Sequence, residues 1–114
     1  MDYSGVYRLA EEIKRSDEYR AYHDIKDDVM TDETTAALVK EYRKLQVTLQ
    51  VAAMNGHSPD ETDMQRFQGI SALLFGKPSV SQFLLSEMRL QQMVGDVFKI
   101  ITDASGLQMD IPGF

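Results

Sequence analysis

Apolar residues recur at helical spacing along almost the whole chain, and Gly, Pro and short polar residues cut the pattern into five pieces. The clearest punctuation is in the middle. From Asp32 to Asn55 no Gly or Pro intervenes, and the segment reads as one long helix. Asn55-Gly56 ends it. Ser58-Pro59-Asp60-Glu61 then opens another, with Ser58 as the expected N-cap, Pro59 at the first helical position and Glu61 completing a capping box. A stop and restart this close together predicts a helical hairpin.

The remaining pieces follow the same logic. Tyr3, Val6, Leu9, Ala10 and Ile13 fall on one side and predict an amphipathic helix over 3–15, with Glu11, Glu12 and Lys14 facing out. Ser16 reads as an N-cap followed by Asp17 and Glu18, where the helix macrodipole favours acids. The break there is either a corner or a kink. A more polar helix carrying Tyr19, Tyr22, Ile25 and Val29 runs to about Met30, and Thr31 or Asp32 caps the long one. The fourth helix spans Pro59 to about Phe75, with Met64, Phe67, Ile70, Ser71 and Leu74 inward. Its mid-helix Gly69 is expected to admit the close approach of another helix. The fifth runs from Pro78 to about Ser105 and stops at Gly106. Ser79 with Gln82 offers an alternative capping box. No alternating pattern suggests a strand. The expected fold class is all-α, with long antiparallel helices in a hairpin or bundle of about five helical segments, oligomeric. The chain is read as a single domain over 1–114, with N-terminal helices to 31, the long-helix hairpin or bundle over 32–107 and a tail over 108–114.

Two apolar rows on the long helix carry the expectation of self-association. Leu38, Tyr42, Leu45, Leu49 and Ala52 follow at spacings of four, three, four and three, a short heptad stripe. Val47, Val51 and Met54 lie nearly opposite. An ordinary surface helix buries one face only, so residues 45–54 are expected to be covered from two sides. On the fifth helix Phe83, Leu90, Val94, Val97 and Ile101 make the main stripe, widened by Met88, Met93, Phe98 and Ile100. It spans roughly 40 Å against about 25 Å for the fourth, so one end should project. The tail holds Ile111 and Phe114, apolar for a terminus. It is expected to cover the chain's own core or a sister subunit, or else to meet a partner. The candidate interface residues are therefore Leu38, Tyr42, Leu45, Val47, Leu49, Val51, Met54, Phe83, Leu90, Ile111 and Phe114.

Composition narrows the chemistry. At 114 residues the chain can build one modest core. Acids outnumber bases by 18 to 12, for a net charge of −6. That balance opposes direct nucleic-acid binding, which relies on clustered Lys and Arg. With no Cys there is no disulfide, thiolate metal site or thiol nucleophile, and the composition fits a reducing compartment. Met1-Asp2-Tyr3-Ser4-Gly5 does not read as a signal peptide, and the apolar clusters are too short to span a bilayer. A cytoplasmic protein with no membrane association is expected.

Candidate chemistry is sparse. His23 and His57 stand 34 residues apart, and the acids after His57 (Asp60, Glu61 and Asp63) read as the start of a helix, not as ligands. Ser71, Ser79 and Ser81 lack a nucleophile-elbow context. Lys14-Arg15 and Arg43-Lys44 are interleaved with acids, and the seven Met are read as adaptable core filler or interaction surface. Glu87 interrupts an apolar stripe and is expected to make an inter-helix ion pair or hydrogen bond. No catalytic residue, cofactor or metal is expected. The alternative is a small helical enzyme or ligand-binding bundle with a site around Glu87, where only Tyr42 and Gln46 offer further inward polar groups.

Certain runs nevertheless resemble a known family. Ser16-Asp17-Glu18-Tyr19 through Tyr22, then Asp32-Glu33, Leu45-Gln46, Gln50 and Gly56, resemble the YlbF/YmcA family of small bacterial helical proteins, including its YheA-like members. Pro78-Ser79-Val80-Ser81-Gln82-Phe83, with Glu87 and Leu90, resembles that family's last long helix. The order and separation of these runs over roughly residues 4–107 carry the likeness. The resemblance implies an all-helical fold of long antiparallel helices, assembled as dimers or larger oligomers, and a regulatory adaptor without enzymatic activity. Characterised members of the family are linked to competence, sporulation and biofilm development. They form a YmcA–YlbF–YaaT complex that assists ribonuclease Y in mRNA processing. Partners implied here are a second copy, regulatory proteins of the same family or an RNA-processing complex. Some members carry Cys associated with iron–sulfur clusters, which cannot be carried over to a chain without Cys. Where the family has Asn before the helix-opening Pro, this chain has Lys77. Shortness and lack of Cys place it nearer the YheA-like members.

Overall fold

A computed structural model describes residues 1–107. Five helices follow in order: α1 (Ser4–Lys14), α2 (Asp17–Met30), α3 (Glu33–Met54), α4 (Glu61–Phe75) and α5 (Pro78–Ser105). Among the described residues there is no strand. The all-α expectation is met, and helix limits agree with the periodicity to within two residues.

The caps explain where each helix begins and ends. Between α1 and α2 the helix is interrupted at Arg15 and Ser16. The Ser16 hydroxyl serves both ends, donating to the Ile13 carbonyl (2.6 Å) and accepting from the Tyr19 amide (3.2 Å). Asp32, and not Thr31, caps α3. It sits in extended backbone (φ −73°, ψ 115°), and its carboxylate accepts from the Thr34 amide (3.2 Å) and the Thr35 hydroxyl (2.8 Å). Those bonds, that of Thr35 foremost, together with the charge of Lys77, hold the Asp32 carboxyl below its ordinary pKa.

α3 closes in a Schellman arrangement: the His57 amide donates to the Ala52 carbonyl (2.9 Å) and the Gly56 amide to Ala53 (3.1 Å). Gly56 takes φ +72°, a conformation costly for any residue with a Cβ. The start of α4 differs from expectation by two residues. Asp60 is the N-cap, with ψ 131° and its carboxylate accepting from the Thr62 amide at 2.8 Å. Pro59 therefore precedes the helix. Two cap candidates compete here, and Asp60 wins because its carboxylate reaches the second helical amide while Asp63 adds an acid to the first turn. At α5, Pro78 takes the first helical position and the Lys77 carbonyl accepts from Ser81 (2.9 Å).

The contacts fall into two compact units. One holds residues 25–82, the other Met1–Asp24 with the chain from Phe83 on. In the first, the short link over 55–60 returns α4 along α3 and the two helices pack together. Val39 and Leu45 on α3 and Leu74 on α4 are buried, as are Val29 and Val80 in the same unit. Tyr42 stacks on Phe67 (centroids 5.2 Å apart, 16°) and meets Phe75 edge-on (6.1 Å, 72°). Arg66 pairs with Glu41 alongside. In the second unit Phe83 is fully buried and stacked on Tyr22 (5.4 Å, 16°), with Leu84 buried beside it in sequence. The Ser86 hydroxyl, also buried, donates to the Phe83 carbonyl (2.8 Å). α1 has the expected apolar side, yet none of its residues is buried: Val6 is exposed, Leu9 and Ile13 are half-buried, and Tyr3 just before the helix is exposed.

Candidate interaction surface

The eleven residues expected at an interface separate into groups by burial. Leu45 (4% exposed) and Phe83 (0%) pack inside the chain itself and offer no surface to another. Leu38, Tyr42, Leu49 and Leu90 are half-buried. Val47, Val51 and Met54 point away from α4 and are 57%, 49% and 66% exposed. Ile111 and Phe114 lie outside the described residues.

The difference comes from α4. It packs on the side of α3 that carries Tyr42, whose ring meets Phe67 and Phe75, and the short link over 55–60 keeps the two helices neighbours. The row Val47, Val51 and Met54, at i, i+4 and i+7, stays uncovered. Within the chain, residues 45–54 are thus covered on one side.

Further outward apolar positions escaped the periodicity. Leu85 is exposed on α5, as are Met88, Val94, Ile100 and Ile101, which the pattern placed on or beside the main stripe. The signal was ambiguous, because α5 is apolar on more than one face and its pattern does not say which face is covered. Gly69 also departs from expectation. It is exposed, and a Cβ built there would meet nothing within 4 Å.

Polar groups converge on no reactive arrangement among the described residues. His23 lies against Tyr19 (4.1 Å) and edge-on to Tyr22 (5.0 Å). His57 belongs to the α3 stop. No group of three or more His, Asp or Glu is placed to hold a metal ion among the described residues. Glu87 is half-buried on α5 and engaged in a polar or ring interaction. No described helix is long and apolar enough to cross a membrane.

Comparison with known proteins adds what geometry does not. Residues 3–104 match the family described as "Control of competence regulator ComK, YlbF/YmcA". The chain belongs to the YlbF/YmcA family. Similar sequences include a UPF0342 protein of Halothermothrix orenii, 30% identical over 96% of this chain and 91% of that protein. Another, from Alkalihalophilus pseudofirmus, is 31% identical over 88% of each. A solved structure, a protein of unknown function (DUF964) from Bacillus stearothermophilus, shares the fold with a TM-score of 0.69 and 18% identity over 91% of both chains. The likeness to that structure is one of fold, an all-helical architecture over nearly the whole chain.

Proposed function

We propose that this YlbF/YmcA-family protein is a non-enzymatic cytoplasmic adaptor that associates with itself and with other regulatory proteins. The finer reading is a role like that of YlbF/YmcA regulators in competence, sporulation, biofilm formation and ribonuclease Y-dependent mRNA processing. One observation carries it: in a member of a regulator family, Val47, Val51 and Met54 form a solvent-facing apolar row on a regular helix. Covering such a row would gain roughly 25 cal/mol per Å² of apolar area, and contiguous exposed apolar surface is where proteins meet partners. The absence of Cys and the net charge of −6 favour protein over iron–sulfur or nucleic-acid partners.

Two measurements test the proposal. Light scattering at micromolar concentration should give at least twice the 12.9 kDa chain mass. Affinity purification of the tagged protein from its own cells should recover regulatory proteins of the same family or RNA-processing proteins. A monomer that recovers neither overturns it.

A further inference from the structure

We infer that two copies join through the outer face of α3, packed antiparallel about a two-fold axis near Val51. The inference rests on the self-association proposed above and names the surface that performs it.

The first support is charge. Between Lys44 and Asp60 the chain has no charged residue for fifteen positions, 45–59, its longest such run in a sequence that is 26% charged. The exposed half of α3, including Val47, Val51 and Met54, lies within it. Interface centres are depleted of charge. Two copies at −6 each repel as wholes, so a neutral apolar face is where they meet at least cost.

The second support is the spacing of the lysines. Lys40, Lys44, Val47, Val51 and Met54 form a single seam at spacings of four, three, four and three, and both lysines are exposed. A parallel pair would set Lys40 against Lys40 and Lys44 against Lys44. An antiparallel pair centred on Val51 sets Val47 opposite Met54 and carries each Lys44 past the end of the other helix. There it approaches the acids that open α4, Asp60 and Glu61. The arrangement is isologous, as a two-fold dimer requires. A copy of the same chain is thus the occupant that complements both the neutral centre and the charged ends.

Because the chain has no Cys, single-cysteine variants read the register directly. Under mild oxidation Val51→Cys should form a disulfide-linked dimer. Val47→Cys mixed with Met54→Cys should crosslink more than either alone, since a disulfide needs Cβ atoms about 4 Å apart. Gln65→Cys, on the outer face of α4, should not crosslink. Val51→Glu should raise the dimer dissociation constant about tenfold or more with helicity unchanged. Self-crosslinking of Val47→Cys and of Met54→Cys, each as fast as Val51→Cys, would mean a parallel pair and overturn the antiparallel assignment. A wild-type oligomer in which none of the three seam cysteines crosslinks and Val51→Glu changes nothing would overturn the seam and leave self-association standing. A wild-type monomer would remove both.

Discussion

Val39, Tyr42 and Leu45 on one side of α3, and Val47, Val51 and Met54 on the other, are residues of similar kind on the same helix. The first group is buried or half-buried in its unit, where Tyr42 meets Phe67 and Phe75 of α4. The second remains in water. Helix-forming tendency does not separate them, and neither does apolar character. What separates them is the direction in which a short link returns the chain. A buried row holds the chain together, while an exposed row of the same chemistry is available to another molecule.

The largest effect should come from truncating the buried row. Leu45→Ala removes a side chain that is 4% exposed, and should cost about 2–5 kcal/mol in urea unfolding, the transfer loss plus the cavity left behind. Below the concentration at which copies associate, Val51→Ala should change stability by less than about 0.5 kcal/mol. Equal costs at the two positions would break the contrast between the faces.

A second comparison sharpens the first. The outer face of α4 holds Gly69, open to solvent with nothing to crowd a Cβ. Gly69→Ala should therefore raise the unfolding free energy by about 1 kcal/mol through helix propensity. A loss of stability instead would show that something packs on Gly69, and both outer faces of the hairpin would then be contact surfaces.

The hairpin's turn offers a smaller contrast. Asp60→Ala should cost about 1 kcal/mol as loss of the α4 cap. Ser58→Ala should leave the denaturation midpoint unchanged. The reverse order would restore Ser58 as the cap.

The smallest effect is one of pH. The folded state holds the Asp32 carboxyl below its ordinary pKa. Its contribution is complete above the unfolded value, near pH 4, and is lost as pH falls through the lower folded value, because the unfolded chain then binds the proton first. Asp32→Asn should flatten the decline of the denaturation midpoint with acid below about pH 4. Identical slopes would mean that the Thr34 and Thr35 bonds do not favour the carboxylate.

Much of the fold was legible because helix ends are written in local chemistry. Ser16, Gly56, Pro78 and Gly106 mark boundaries at or beside those observed, since a cap hydroxyl, a positive φ or a missing amide acts within one turn. The exception, Ser58 for Asp60, arose where two competent caps stand two residues apart. Burial was harder to read. Tyr3 and Val6 had the spacing of a buried side and are exposed, and the apolar breadth of α5 concealed the outward Leu85 and Met88. Of the candidate surface, the row Val47, Val51 and Met54 was visible as a second stripe, but nothing in its spacing distinguished it from the row that became core.

By itself the sequence determined five helices, most of their limits, the hairpin turn over 55–60 and the lack of Cys chemistry, all properties carried by neighbouring residues. Tertiary structure alone decided that Leu45 and Phe83 belong to the chain's own core, that Gly69 faces open space and that one of the two rows on α3 is left outside. The physical reason is that hydrophobic attraction has no direction. Spacing shows that a helix has a side to bury, and only the path of the rest of the chain determines which side is covered.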